Sequence, residues 1–101
     1  MTSTITRPAP EPPVPAGAAL VAAWEYDQPM PSRPFFGVPR GISGRTIVVG
    51  AAGHQWADGS IDSAASIEII GHLHGLTSDQ ARELASALLQ AADELDGWVA
   101  R

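Results

Sequence analysis

The chain has 101 residues, no cysteine and a net charge of −5 at neutral pH. This length allows one small domain, the lack of cysteine excludes disulfides and thiolate chemistry, and the negative charge disfavours non-specific binding to nucleic acid. No apolar run approaches the roughly 18 residues that a membrane-spanning helix needs, so we expect no membrane span.

The first 17 residues form a proline-rich segment with almost nothing that could join a core. Proline lacks the backbone N–H that a sheet ladder needs, so we expect a disordered tail over residues 1–17, followed by a single domain over residues 18–101. The segment contains two P-x-x-P arrangements, from Pro10 to Pro13 and from Pro12 to Pro15, which are the pattern that SH3-type domains bind. A flexible tail is the preferred interpretation of these prolines.

Apolar and polar residues alternate from residue 18 to residue 26, which predicts a short strand with Leu20 and Trp24 on one side. The alanines of this stretch leave a helix as the alternative. Residues 27–34 contain three prolines and predict a turn-rich connection. Phe35 and Phe36 follow it, and we expect them to pin this connection to the core.

A β-hairpin is predicted over residues 45–70, with its tip at Asp58-Gly59. A three-residue loop with a left-handed glycine would place Val49 opposite Ile67. This register is favoured because a slip by one residue would turn a glutamate towards the core. The residues on the core face would then be Ile47, Val49, Ala51, Ile61, Ala65, Ile67 and Ile69.

The opposite face of the predicted hairpin is too apolar for open water, because Val48, Trp56 and Ile70 lie on it beside Thr46 and Glu68. Exposed apolar area of this kind usually marks an interface. We expect this face to take either the N-terminal strand region or the same face of a second copy of the chain.

An amphipathic helix is predicted over residues 76–98. Thr77 is a suitable N-cap and Gln80 lies three residues on, where it can complete a capping box. Gly97 is expected to end the helix in the left-handed conformation, with Trp98 folded back on the last turn. The predicted buried stripe consists of Ala81, Leu84, Ala85, Leu88, Ala92 and Leu95.

The closing segment L-T-S-D-Q-A-R-E-L-A-S-A-L-L-Q-A-A-D-E-L-D-G-W resembles the C-terminal helix of small uncharacterised proteins from actinobacteria, mycobacteria especially, and from their phages. The similarity includes the preceding D-G-S-I hairpin and so covers about half the chain. The resemblance implies a mycobacterial or phage origin and a cytoplasmic setting, but it transfers no functional residue.

Two groups of residues suggest ligand sites, each with a simpler alternative. Arg33, Arg40 and Arg45 lie in a stretch without acids and could contact an anion such as phosphate, although a plain glycine-rich connection is the preferred interpretation. His72 and His74 could face the same way on a strand, but no third metal ligand is near in the predicted register. A serine–histidine–aspartate cluster at the hairpin tip lacks the pocket that catalysis needs.

The sequence therefore predicts an α+β domain: a small antiparallel sheet of three or four strands with one C-terminal helix packed on it. As function, we expect a non-catalytic protein-interaction module that forms a homodimer, with no cofactor and no metal. The alternatives are a phage or prophage regulator that binds a host protein through acidic helix residues such as Glu83 and Asp93, and a domain that binds a small ligand or phosphate. The predicted interaction residues are Trp24, Phe35, Phe36, Val48, Trp56, Ile70, Glu83, Asp93 and Trp98.

Overall fold

The computed structural model describes residues 11–99, and it confirms the α+β class: a curled antiparallel sheet carries one C-terminal helix. Every strand of the sheet precedes the helix in the chain. The elements are β1 (Leu20–Val21), β2 (Ser32–Phe36), β3 (Arg40–Gly41), β4 (Val48–Trp56), β5 (Ser66–Ile70) and α1 (Ser78–Val99).

β4 is the central strand, and every other strand except β1 pairs with it. β2 and β3 lie in succession along one edge of β4, β5 lies along the other edge, and β1 extends the sheet beyond β2. The pairs Phe36↔Ala52 and Arg40↔Val49 differ in register by one residue, so a bulge at residues 37–39 separates β2 from β3. The sheet is therefore an antiparallel meander with four strand positions.

The tip of the hairpin between β4 and β5 has the predicted three-residue loop. Gly59 has a φ of +93°, its N–H donates to the Trp56 carbonyl, and Gln55 pairs with Ile61 as the predicted register requires. Further along the ladder the predicted register is wrong by two residues, because Val49 lies opposite Ile69 rather than Ile67.

A turn at residues 62–65 causes this shift. The Asp62 side chain accepts a hydrogen bond from the Ala64 N–H at 2.7 Å, and the Asp62 carbonyl accepts one from the Ala65 N–H at 3.2 Å. The turn adds two residues to one strand of the hairpin. Because side chains alternate with a period of two, each residue keeps its predicted face despite the shift.

The helix packs across one face of the sheet, which we call the inner face. One cluster on this face brings Ile47 and Val49 against Ala87 and Ala91. A second cluster, nearer the end of the helix, contains Ala51, Phe35 and Trp98. In this second cluster the two aromatic rings meet edge to face, with their centroids 4.6 Å apart.

The start of the helix confirms the capping box. The Gln80 N–H donates to the Thr77 hydroxyl at 3.1 Å, and the Thr77 N–H donates to the Gln80 side-chain oxygen at 3.0 Å. Part of the predicted stripe is confirmed, because Leu84, Leu88 and Leu95 pack against these clusters as partly buried residues. The observed stripe is nevertheless rotated, since Ala81 and Ala85 are exposed. The buried residues of the helix are Ala87, Ala91 and Trp98.

The predicted end of the helix is wrong. Gly97 is not among the glycines with positive φ, and the helix continues through it to Val99. Trp98 accounts for the continuation, because its ring packs on Phe35 and its indole N–H donates to the Ala16 carbonyl at 2.9 Å. These contacts hold the last turn in place without a glycine cap.

The N-terminal half of the sheet differs from the predicted one. The predicted strand over residues 18–26 pairs only at β1 and at a single bridge from Glu25 to Ser32. The predicted connection instead contains part of β2, in which Pro34 lies opposite His54. The Pro34 carbonyl accepts from the Ala22 N–H, so the missing donor of this proline faces the β1 side and leaves the ladder to β4 intact.

Residues 1–10 of the predicted tail lie outside the described residues. Residues 11–17 lie against the domain, where Pro15 is buried and three backbone carbonyls accept hydrogen bonds from side chains of the domain. No helix among the described residues combines the length and apolar character that crossing a membrane requires.

The helical conformation of Gly97 predicts a stabilising substitution. A Cβ built there meets no atom within 4 Å, so Gly97→Ala should raise the free energy of unfolding by up to about 1 kcal/mol in chemical denaturation. Gly75 is the matched control, because its Cβ also meets nothing but its φ is +73°. Gly75→Ala should lower stability by about 1 kcal/mol, and destabilisation by Gly97→Ala would contradict the assignment.

Candidate interaction surface

The face of the sheet opposite the helix is uncovered by any other element among residues 11–99, and we call it the outer face. Alternation along each strand assigns its residues, since the register places Leu20 beside Phe36, Phe36 beside Ala52, and Val48 beside Ile70. Leu20 is 61% exposed, Val48 is 41% exposed and Ile70 is 65% exposed. The outer face therefore presents large apolar side chains to solvent.

Small residues make the middle of the outer face smooth. Gly50 lies between Val48 and Ala52 on β4, so no bulky side chain stands at the centre. A shallow groove of about 180 Å³ runs here, and Phe36 and Ile70 contribute to its walls. A flat surface of this kind can approach another flat surface closely.

Glu68 supplies a charge beside this groove. It lies opposite Gly50 in the ladder and is exposed, so its carboxylate remains in water at the β5 side of the outer face. A charge on an edge strand discourages uncontrolled pairing of that edge with other chains. Glu68 therefore places a charge on the edge strand β5, next to Ile70 of the apolar patch.

Trp56 lies at the hairpin end of the outer face and is half-buried. It lines a second shallow groove of about 320 Å³ together with Met30 and residues of the tip. In that tip the Ser60 hydroxyl and N–H both donate to the Asp58 carboxylate, at 2.6 Å and 2.9 Å. These bonds, the hydroxyl first, lower the pKa of Asp58 below its usual value.

Five of the nine predicted interaction residues are not on this surface: the helix residues Glu83 and Asp93, described below, and three aromatic residues. Phe35 is fully buried and Trp98 is nearly so, because the two side chains meet each other in the core. Trp24 is half-buried, and its ring lies over the guanidinium of Arg33 with 4.5 Å between the Arg33 Cζ and the ring centroid. Phe36, Val48, Trp56 and Ile70 are the predicted residues that share the outer face.

The three arginines predicted to contact an anion do not converge. The Arg33 side chain is buried and donates to Gln55 at 2.9 Å. Arg40 donates to Glu94 at 2.6 Å, which joins β3 to the helix. Arg45 donates to three backbone carbonyls of the loop at residues 72–75. Each guanidinium already binds acceptors of the chain itself, so the arrangement gives no support to a shared phosphate site.

The histidines also stay apart from one another. His72 and His74 lie in the exposed loop after β5 rather than on a strand, and their carbonyls accept from Arg45. His54 lies 3.7 Å from the Glu25 carboxylate, whereas Ser60 bonds to Asp58, so no catalytic cluster forms at the tip. The described residues contain no group of three or more potential ligands that could hold a metal ion.

The acidic side chains of the helix have different surroundings. Glu83 accepts hydrogen bonds from the N–H and the hydroxyl of Ser43, at 2.7 Å and 2.8 Å, which ties the helix to the loop after β3. These bonds, the backbone N–H first, lower the pKa of Glu83 below its ordinary value of 4.5. Glu94 binds Arg40, while Asp93 is exposed and carries no such contact in this part of the structure.

Comparisons of the chain with protein-family models, with curated proteins and with solved structures found no match. The resemblance of the closing helix to actinobacterial and phage proteins therefore stays a prediction. The surface has to be interpreted from its own chemistry.

Several residues that position this surface carried no functional signal in the sequence. Gly37 is one, because a Cβ there would come within 2.8 Å of the Glu94 carboxylate. The same carboxylate accepts a hydrogen bond from the Val38 N–H at 3.2 Å and pairs with Arg40. Arg40 and Glu94 are more than fifty residues apart in the chain, and no sequence pattern identifies them as partners.

The contacts of Glu83 predict a pH dependence. Because the folded state lowers its pKa, its contribution to stability is complete above its ordinary pKa and is lost as the pH falls through the folded value. Ser43→Ala removes one donor and should raise the pKa of Glu83 part of the way back, as measured by NMR titration of its carboxyl carbon. Ser78→Ala, at an exposed position of the first helical turn, is the control and should leave that pKa unchanged. An unaltered titration of Glu83 in Ser43→Ala would contradict the assignment.

Proposed function

We propose that the protein is a non-catalytic interaction module that forms a homodimer through its outer face. The observation that supports this most directly is the open apolar patch of Leu20, Phe36, Val48 and Ile70 on the side of the sheet away from the helix. Contiguous apolar patches on small domains usually mark a contact surface. A sheet with one apolar face open gains free energy by burying that face against another layer.

A second copy is the occupant that suits this surface best. A flat face with a glycine and an alanine at its centre needs no complementary cavity in its partner, and a two-fold axis would set each apolar patch against its equivalent. Two such sheets pack about 10 Å apart with their strands roughly aligned. The exposed carboxylate of Glu68 lies on the edge strand β5, where it can turn towards water at the side of the sheet.

The size of the patch sets the expected affinity. Four strands at about 4.8 Å spacing and five residues at about 3.3 Å rise give a face of roughly 19 by 17 Å. This projected area is well below the roughly 800 Å² per partner of a standard stable interface. We therefore expect a reversible dimer with a dissociation constant in the micromolar range.

We further propose that this module works in the cytoplasm. The predicted resemblance of the closing helix to those of actinobacterial and phage proteins implies that setting, and the lack of cysteine is in keeping with it.

Introducing a positive charge into the patch tests the dimer. Ile70→Lys or Val48→Lys should raise the dissociation constant at least about tenfold, because a lysine buried at the interface loses its hydration. Sedimentation velocity from about 5 to about 200 μM covers the expected range.

Leu89→Lys is the matched control. Leu89 is 69% exposed on the outer side of the helix, so the same charge change there should leave association unaltered. A wild-type chain that sediments as a monomer throughout the range, or equal association of all three variants, would refute the proposal.

A further inference from the structure

Within the proline-rich residues 11–17, the two residues shielded from solvent are three positions apart. Pro12 is half-buried and Pro15 is buried, whereas Pro13 and Val14 between them are exposed. A polyproline II helix has three residues per turn and no internal hydrogen bonds. The burial pattern is therefore that of a polyproline II segment whose Pro12-x-x-Pro15 side lies on the domain.

Two buried polar side chains donate to this segment. Arg33 Nη2 donates to the Pro12 carbonyl at 3.0 Å, and Gln55 Nε2 donates to the Pro13 carbonyl at 2.9 Å. Arg33 and Gln55 also bond to each other and are only 6% and 3% exposed. The adjacent carbonyls of Pro12 and Pro13 are thus bound by two donors, Arg33 and Gln55, which hold each other in position.

Two indole rings donate to the same segment. Trp98 Nε1 donates to the Ala16 carbonyl at 2.9 Å, and Trp24 Nε1 donates to the Glu11 carboxylate at 3.1 Å. The Trp24 ring stacks on the guanidinium of Arg33, which itself lies 3.7 Å from the Glu11 carboxylate. The surface beneath the segment is therefore lined by two tryptophans and held in place by a buried arginine.

The direction of these hydrogen bonds points to one class of ligand. All four run from a side chain of the domain to an oxygen of the segment, so this surface donates and the ligand accepts. Proline-rich chains have carbonyls to offer and few N–H groups that need a partner. Grooves lined by aromatic side chains recognise P-x-x-P segments in this way.

We propose that the groove formed by Trp24, Arg33, Gln55 and Trp98 is a binding site for proline-rich peptides, which residues 11–16 occupy in cis. Gly17 joins this segment to the domain with a φ of +83°, and no atom lies within 4 Å of its Cβ position. No side chain therefore packs against Gly17, the residue about which the segment would have to rotate to leave the groove. The site lies outside the outer face, so the proposal does not depend on the dimer.

A covalently attached segment competes with any free peptide. Attachment through a short linker gives an effective concentration in the millimolar range, so the native chain should bind free peptide only weakly. A chain whose own segment fits the groove less well should bind the same peptide more tightly.

The experiment uses the full chain with Pro12→Ala and Pro15→Ala together, which removes the two prolines that face the groove. The probe is a capped synthetic peptide with the sequence of residues 11–16, and the indole N–H resonances of Trp24 and Trp98 are followed by NMR. This variant should bind the probe at least about tenfold more tightly than the native chain does.

A control variant and a control peptide show whether binding depends on the two groove-facing prolines or only on a proline-rich composition. The variant Val14→Ala changes an exposed residue of the segment that makes none of these hydrogen bonds, and it should behave as the native chain does. A probe with alanine in place of both groove-facing prolines should bind at least about tenfold more weakly than the native probe.

Three outcomes would overturn the proposal. The first is that neither indole resonance moves at about 10 mM probe in a variant that keeps its native circular dichroism. The second is that both probes bind equally well. The third is that the Pro12 and Pro15 variant loses its fold, because the segment would then be a structural part of the domain rather than an occupant of a site. None of these results bears on dimerisation, which the sedimentation measurement tests separately.

Discussion

The structure depends on the close approach of one helix to the central strand β4. Ala87 and Ala91 make this approach possible, because their small side chains let the helix backbone come down onto Ile47 and Val49. A single helix is only about 10–12 Å wide with its side chains, which is less than the width of four strands. The helix therefore covers one part of one face, and the remaining surface has to be closed by other means or left open.

Polar contacts close the margins of the helix interface. On the β3 side, Glu94 of the helix binds Arg40, and Glu83 binds the Ser43 loop. At the far end, beyond Trp98, the buried Arg33 and Gln55 satisfy their donors on the carbonyls of the proline-rich segment. None of the buried side-chain nitrogen and oxygen atoms in the described residues lacks a hydrogen-bond partner. The domain is thus stabilised both by apolar packing beneath the helix and by hydrogen bonds at the edges of that interface.

Features set by neighbouring residues could be predicted from the sequence. The capping box of Thr77 and Gln80 and the left-handed Gly59 depend on residues three or fewer positions apart, and both are confirmed. The composition of the inner and outer faces was also predictable, because alternation in β4 and β5 is a local pattern. The α+β class followed from these elements together.

Features set by tertiary contacts could not be predicted in this way. Which side of the helix faces the sheet depends on how closely Ala87 can approach the strands. The spacing of apolar residues alone centred the predicted stripe on the leucines. β2 could not be predicted because of its proline. Pro34 fits into the sheet only because its nitrogen faces β1 and not β4, and the sequence does not show this orientation. The contact between Phe35 and Trp98 joins residues more than sixty positions apart, so no local pattern could predict that these two rings meet.

The turn at residues 62–65 gives the hairpin an unusual tolerance of length. It lengthens one strand by two residues, and the core survives because each side chain returns to its own face after two positions. Insertions and deletions at this turn should therefore be accepted in pairs and rejected singly. A small domain with this property can change the reach of its hairpin tip, with Trp56 beside it, while the apolar layer beneath the helix stays the same.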